Sequence, residues 1–503
     1  MSSLRLDYLT EPLLRFGHEQ SLDDPRNGLF LFGPLSDSRK PKQMRVGVVG
    51  TPEGIAAYQS WVQRIAKFIP AARTEAIHQV AYPGFEAAFA TQWSSDPVVS
   101  LPVSANDIAR TIRLSDRHVG MYETVSLFID PIRRKLRSDD IEVDLWFIVI
   151  PEELYTFGRP MSRVPASERI LIERRINARI ARRFQSQPSL FEEEMQEAKI
   201  YAYELDFHDQ LKARLLDLKA VAQVVRDTSL ATTEPDDRLA RRMQDPATVA
   251  WNLSTTSFFK AGGRPWKLDK VRHRVCYIGI VFKLDPRDPS GRSACCGAQM
   301  FLDSGDGLVF KGAIGKWYSL ERREFHLDEE NAFDLLKSVI DEYKDIHGTL
   351  PLELFIHSKT RFNDEEWRGF SAAASETTNI VGVKINRSLD LKAYRPGATP
   401  VLRGTALRID PTKGYLWTAG YVPKLRTYAG REVPNPLLIE ICRGTTDLQQ
   451  VMNDVMGLTK VNFNACIYAD GIPVTLRFAD AVGEILTAGP PTDLPPLPFR
   501  HYI

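Results

Sequence analysis

Arg45-Val-Gly-Val-Val-Gly50 reads as a buried-type strand, and the apolar residues that follow, Ile55, Tyr58, Trp61, Val62, Ile65 and Phe68, recur at helical spacing. A strand leading into such a helix is a parallel α/β unit. The unit recurs downstream, where an amphipathic stretch near 122–137 runs into the strand Val143-Asp-Leu-Trp-Phe-Ile-Val-Ile-Pro151. Residues 166–200 are dense in Arg and Glu and read as a solvated helix or insertion. A helix over roughly 207–226 precedes the polar loop Thr232–Asp237. Ahead of these units, Asp24-Pro25-Arg26-Asn27-Gly28 is a turn signal before Leu29-Phe30-Leu31-Phe32, which predicts a short strand entered from a tight turn.

The pattern changes near residue 260. Lys260-Ala-Gly-Gly-Arg-Pro-Trp266 is punctuated by Gly and Pro and reads as a domain boundary. Beyond it Val275-Cys-Tyr-Ile-Gly-Ile-Val-Phe282 is a central-strand candidate, with Ser293–Phe301 and Leu308–Ile314 as hairpin neighbours. A helix at 328–345, the strand Leu352–His357, a helix at 363–375 and the strand Ile380–Ile385 complete a mixed sheet with crossover helices.

Composition narrows the function classes. The 503 residues suffice for two to four domains. A hydrophobic content of 43% with 26% charged residues excludes wholesale disorder. Five cysteines, without CxxC spacing and odd in number, form no disulfide framework and point to a reducing, cytoplasmic setting. Met1-Ser-Ser-Leu-Arg-Leu-Asp-Tyr8 puts an acid where a secretory signal needs apolar residues, and no ~18-residue uncharged apolar stretch predicts a membrane span. No HExxH, GxSxG or GxxxxGK[ST] occurs, and Gly305-Asp-Gly307 reads as a hairpin turn.

Net charge is +1, yet cations cluster. Between 395 and 431 lie Arg395, Arg403, Arg408, Lys413, Lys424, Arg426 and Arg431 against the single acid Asp410, interleaved with Tyr394, Tyr415, Trp417, Tyr421 and Tyr428. Such a mixture suits a surface that follows a polyanion backbone; the plain alternative is a solvated charged hairpin. A second group is His208 and Lys212, four apart and so one above the other on a helix, with Gln223 beyond. A ring, an ammonium and an amide are what a terminal phosphate with a stacked base needs, although an ordinary amphipathic helix gives the same pattern.

In order and spacing, Phe16-Gly17 with Asp24–Gly28 and Phe32-Gly-Pro-Leu35, the strand Val143–Pro151, Arg403-Gly-Thr405, Gly414-Tyr-Leu-Trp-Thr418, Gly420-Tyr-Val-Pro-Lys424 and Gly457-Leu-Thr-Lys-Val-Asn-Phe-Asn464 carry a resemblance. The chain resembles a short prokaryotic Argonaute, built of MID and PIWI domains. The resemblance implies an α/β fold: an N-terminal segment (1–44), a Rossmann-like MID domain (45–255) and an RNase H-like PIWI domain (256–503). It places the guide 5′-phosphate pocket on His208, Lys212, Gln223 and Lys260, with Thr256 where relatives often have a further lysine. It also puts Ile503, through a C-terminal carboxylate, beside a Mg²⁺ ion at the guide 5′ end. Guide base preference falls to the loop 152–165. Guide and target backbones would meet Arg403, Lys424, Arg426, Arg431, Lys460 and Asn464.

The same resemblance maps the metal-binding carboxylates of slicing relatives onto Val281, Ser358 and Asp480. Two hard cations need clustered carboxylates, so a valine and a serine there imply loss of cutting. Asp285 and Asp303 read as loop or hairpin residues. The implied function is guide-directed sensing: a small guide RNA pairs with single-stranded target DNA of plasmid or phage. The reaction would fall to a partner chain, an APAZ-containing protein with a TIR or Sir2 effector that consumes NAD⁺ and produces abortive infection. The alternative is an active RNase H-type guided nuclease.

Overall fold

The computed structural model describes residues 5–36, 41–73, 76–138, 141–231, 245–285, 293–301, 307–321, 323–428, 430, 432–490 and 495–503. The loop Thr232–Asp237, Asp303, the start of the 305–307 turn and Arg431 lie outside them. Strand β1 (Arg5–Tyr8) opens the described chain. It is followed by helix α1 (Pro25–Phe32), where a strand was expected. The Asp24 carboxylate accepts from the Arg26 and Asn27 amides, and Pro25 supplies a preset φ at the first helical position. Asp-Pro is thus a helix start here, and Gly33 at φ +70° ends it.

The first sheet is all parallel. It consists of β2 (Val46–Gly50), β3 (Val99–Pro102), β4 (Leu145–Ile150) and β5 (Ala222–Arg226) in the order β3-β2-β4-β5. Every residue of β4 is buried, as a strand covered on both faces requires. Helix α2 (Pro52–Ile65) starts on Thr51, whose hydroxyl accepts from the Gly54 amide, and it sends Tyr58 and Trp61 onto Phe147 of β4. Helix α3 (Arg117–Ser138) covers the amphipathic stretch. After α4 (Glu152–Phe157), the Arg- and Glu-rich insertion contains α5 (Ala178–Ser186) and α6 (Glu192–Ile200).

The expected single helix over 207–226 is two elements. Helix α7 (Phe207–Leu216) stops, Lys219 turns in the left-handed region at φ 51°, and Gln223 lies on β5 opposite Phe147. The run Val221-Ala-Gln-Val-Val225 is β-branched and joins a sheet edge that local helix propensity cannot see. Helix α8 (Pro246–Lys260) then passes unbroken through 255 and 256.

The second sheet has ten strands. With β6 (Val275–Leu284), β7 (Ala294–Phe301), β8 (Gly307–Gly315), β9 (Glu353–Ser358), β10 (Asn379–Arg387), β11 (Thr405–Asp410), β12 (Lys413–Leu416), β13 (Leu437–Arg443) and β14 (Leu497–Pro498), its order is β1-β11-β12-β13-β10-β9-β6-β7-β8-β14. Helices α9 (Glu329–His347) and α10 (Asp364–Ala373) cover one face. The other carries α11 (Leu448–Leu458), α12 (Val474–Arg477) and α13 (Ala479–Thr487). A Cβ on Gly279 of β6 would lie 1.8 Å from the Thr475 carbonyl oxygen, so only glycine lets α12 settle there.

The N-terminal segment is stitched into this second sheet. Tyr8 pairs with Thr405 in that sheet, and Leu14–Arg15 pairs with Lys267–Leu268 in a small separate sheet. Its acids meet the cations of the 395–431 stretch. Glu11 accepts from Arg403 Nε (2.9 Å) and Lys460 Nζ (2.7 Å), Asp7 lies 3.1 Å from Arg408, and Asp23 pairs with Lys424. Burial pushes the Glu11 carboxyl up, and Arg403 and Lys460 more than reverse it, leaving it below the usual carboxylate range. Glu11→Gln therefore strands two buried cations, and a loss of about 3 kcal/mol in urea unfolding is expected, with the m-value unchanged. An unmoved midpoint would contradict the pairing.

Candidate nucleic-acid interface

Four separate stretches of sequence meet at one buried point. Lys212 comes from the second turn of α7, Ala222 and Gln223 from β5, Lys260 from the last position of α8, and Ile503 from the end of the sequence. Lys212 Nζ donates to the Ala222 carbonyl (2.7 Å) and to the main-chain oxygen of Ile503 (2.7 Å). Lys260 Nζ donates to the same Ala222 carbonyl (3.1 Å) and to Gln223 Oε1 (2.8 Å). Both lysines are about 2% exposed or less, and no Asp or Glu side chain among the described residues pairs with either.

Two ammonium groups sharing a carbonyl without an Asp or Glu side chain beside them are electrostatically incomplete. Burial pulls Lys212 down to about 7. Burial, and then the charge of Lys212, hold Lys260 well below the lysine range. His501, 6% exposed, is pulled to about 4 by burial and by Arg500 and Lys212, and its Nδ1 has no partner. A Cβ on Gly262, at φ +97°, would stand 2.9 Å from Arg500 Nη1, so the glycine turn after α8 gives that guanidinium its room. An anion with several acceptor oxygens is the ligand that completes such a site.

The expected pocket residues thus converge, with differences. His208, on the first turn of α7, is about half exposed and stands at the rim, its Nδ1 2.9 Å from Asp209. Thr256 lies one turn before Lys260, buried, its hydroxyl donating to the Asn252 carbonyl. Arg500 and His501 escaped the sequence reading; the only signal was an Arg-His pair after a proline run. The Ile503 main-chain oxygen, named above beside a Mg²⁺ ion, accepts from the Lys212 ammonium. Asp206, His208 and Asp209 do bring ligand atoms within 4.8 Å of one another, but Asp206 is the cap of α7 and Asp209 holds the His208 ring.

The expected backbone contacts separate into three kinds. Arg403 and Lys460 are buried and bound to Glu11, Arg403 also donating to the Thr418 carbonyl and to Thr459 Oγ1. They brace the fold and do not face an open groove. Lys424 is half exposed and paired with Asp23. Arg426 and Asn464 are exposed, and Arg426 sits in the left-handed region at φ 48° after a short 3₁₀ turn. Arg431 is outside the described residues.

The third set lies at the far ends of β6 and β9. These strands run parallel with Gly279 opposite His357, so Val281 and Ser358 follow two and one positions further on. Val281 is buried against α13 near Gly483. Ser358 Oγ is 3.2 Å from Thr360 Oγ1. Asp480, at the start of α13 and mostly exposed, accepts from Lys359 Nζ at 3.1 Å. Its neighbour Glu484 pairs with Lys283. Register and helix packing therefore bring the three positions to one end of the sheet, where they present hydrocarbon, a hydroxyl and a lysine-bound carboxylate.

No family model and no curated protein matches this chain. Solved structures do. The chain is similar to Clostridium butyricum Argonaute bound to a guide DNA and a 19-mer target DNA, at TM-score 0.64 and 14% identity over 97% of this chain and 54% of that one. It is also similar to A. aeolicus Argonaute (TM-score 0.55, 12% identity, 98% and 54%) and to Drosophila Piwi (0.55, 11%, 96% and 54%). The fold is that of the MID–PIWI part of an Argonaute. The chain spans just over half the length of the Argonautes it matches.

The lysine pair gives a pH dependence. A lysine whose pKa falls on folding costs nothing above its unfolded value of 10.5; the cost grows as pH falls and is full below about 7. Stability of the ligand-free protein should rise from pH 7 to 9, and Lys212→Met should flatten that rise. Denaturant midpoints across the range check it; a wild-type profile as flat as the variant's would refute the lysine assignment.

Proposed function

We propose that this chain binds the 5′-phosphorylated end of a short guide at the Lys212–Lys260 site and presents the guide for pairing with a target strand. The observation that carries the reading is the convergence of Lys212, Gln223, Lys260 and Ile503 on a buried cationic point with no carboxylate side chain to neutralise it. A terminal phosphate supplies the missing anion, and His208 at the rim offers a ring face to the first base. Base pairing carries sequence specificity and the protein reads backbone geometry. In this reading the guide is a small RNA and the target single-stranded DNA of plasmid or phage.

Cutting is not part of the proposal. The Val281 side chain has no oxygen, Ser358 is a neutral hydroxyl, and Asp480 is matched by Lys359, so these three positions offer one carboxylate where a two-cation site needs a cluster. The output then falls to a cytoplasmic partner chain, an APAZ-containing protein whose TIR or Sir2 effector consumes NAD⁺ in prokaryotic defence. Among the described residues no helix is long and apolar enough to cross a membrane.

Titration of the purified chain with fluorescent guides tests the core of this. A 5′-phosphate should improve affinity at least tenfold over a 5′-hydroxyl, and Lys212→Glu and Gln223→Ala should erase that preference. Equal affinities for the two guides in the wild type would defeat the pocket. Incubation with guide, labelled target and Mg²⁺ or Mn²⁺ should leave the target whole; guide-directed cleavage abolished by Asp480→Ala would establish a nuclease instead.

A further inference from the structure

The Arg-rich insertion has a role that the pocket leaves untouched. From Arg159 to Arg183 there are eight arginines against Glu168 and Glu173, with no Lys or Asp. Arg159, Arg163, Arg169, Arg175, Arg179 and Arg182 are all exposed, and none forms an ion pair with a described residue. The acids of the region are engaged elsewhere: Glu168 lies 3.6 Å from Arg113, and Glu123 takes Arg174. The further Glu run, 192–194, belongs to α6. Solvated charge normally comes in mixed signs, so a one-sign stretch of this density creates a field suited to a polyanion.

Its anchoring sets where that field acts. Arg117, at the start of α3, donates to the carbonyls of Arg159 (3.0 Å) and Pro160 (2.9 Å), fixing the point where the stretch leaves α4. Burial, followed by the charges of Arg163 and Arg169, holds the Arg117 guanidinium below its ordinary pKa, so those two arginines crowd the same place. The Phe207 amide at the head of α7 donates to the Gly158 carbonyl at 2.8 Å. The stretch therefore begins directly beside the rim residue His208. Arg159 also lies 4.1 Å over the Tyr155 ring, whose other cationic neighbour is Arg226 at 4.3 Å.

We infer that this arginine surface holds the backbone of the target strand where it runs on past the 5′ end of the guide. The inference rests on the guide-binding reading above. A guide whose 5′-phosphate is buried at Lys212 and Lys260 ends there, and only the antiparallel target has nucleotides to lay beyond His208. The contacts are to phosphate and carry no sequence information. They add affinity for long natural targets over short flush ones.

The experiment uses the full chain loaded with a 5′-phosphorylated guide, and two targets of one complementary sequence. One is flush with the guide 5′ end; the other extends ~12 nucleotides past it on the target 3′ side. The extended target should bind about tenfold tighter near 50 mM salt, with a salt slope steeper by about two units if three phosphates are engaged. R163E/R169E should lose this gain while keeping wild-type affinity for the guide and for the flush target. R163A/R169A should lose part of it, and R163K/R169K should retain most. A flank gain absent from the wild type, or intact in R163E/R169E, overturns the inference and leaves the surface to an acidic protein face. Failure of the wild type to bind the guide at all defeats the underlying reading as well, and the guide-only titration shows that separately.

Discussion

Two ammonium groups on one carbonyl oxygen are the constraint around which the molecule is arranged. Lys212 and Lys260 both donate to Ala222, and their other acceptors among the described residues are Gln223 Oε1 and the Ile503 oxygen. Nothing local enforces this meeting. Helix α7 must stop at Leu216 for β5 to bring Ala222 back, α8 must end at Lys260, and the chain must return after β14 to deliver Ile503. The site is thus a joint between the parallel first sheet and the ten-stranded second sheet. Its burial removes both lysines from water, and that desolvation is the dominant reason each is pulled toward neutrality.

A different balance holds elsewhere, and it explains how a nearly neutral chain carries so many local cations. The 395–431 stretch has seven cations to one acid in sequence, but Glu11, Asp7 and Asp23 arrive from almost 400 residues away to match Arg403, Arg408 and Lys424. Those pairs brace β1 and the second sheet. Two further groups of cations have no carboxylate side chain beside them among the described residues, the buried lysine pair and the exposed arginines after α4. Charge that a fold compensates internally is structural; charge left uncompensated at the cost of solvation or self-repulsion requires another explanation.

Much of the architecture was legible because it is written in period. The all-apolar β4, the 3.6-residue spacing of α2 and the strand-helix alternation after 275 need only local pattern. The failures have a common origin in partners distant along the chain. Leu29–Phe32 reads as a strand until Asp24 is recognised as a cap with Pro25 behind it. Gln223 reads as helical until β5 finds β4. Arg403 and Lys460 read as surface cations because nothing near them announces Glu11. His208, Lys212, Gln223 and Lys260 came from motif resemblance, and the fold brings Lys212, Gln223 and Lys260 to one point, with His208 one turn before Lys212 on the same helix. Arg500 and His501 carry no motif and become visible only when the chain end is seen beside α8.

The joint location gives the proposed guide an energetic role beyond recognition. An anion that raises the pKa of two depressed lysines takes up protons as it binds, so its affinity strengthens as pH falls through the lysine range. It also binds the folded state alone, because Lys212, Lys260 and Ile503 are near one another only there. A ligand at a thousand times its Kd stabilises such a state by about 4 kcal/mol. That is a large share of the stability of an ordinary domain. The cost of burying the lysines unpaired weakens the seam between the two sheets in the free protein, and a phosphate bound there would restore it. Guide loading would then tighten the relation between the element proposed to hold the guide's end and the second sheet. Any partner that docks across both elements would sense occupancy through that tightening, without chemistry at Val281, Ser358 and Asp480.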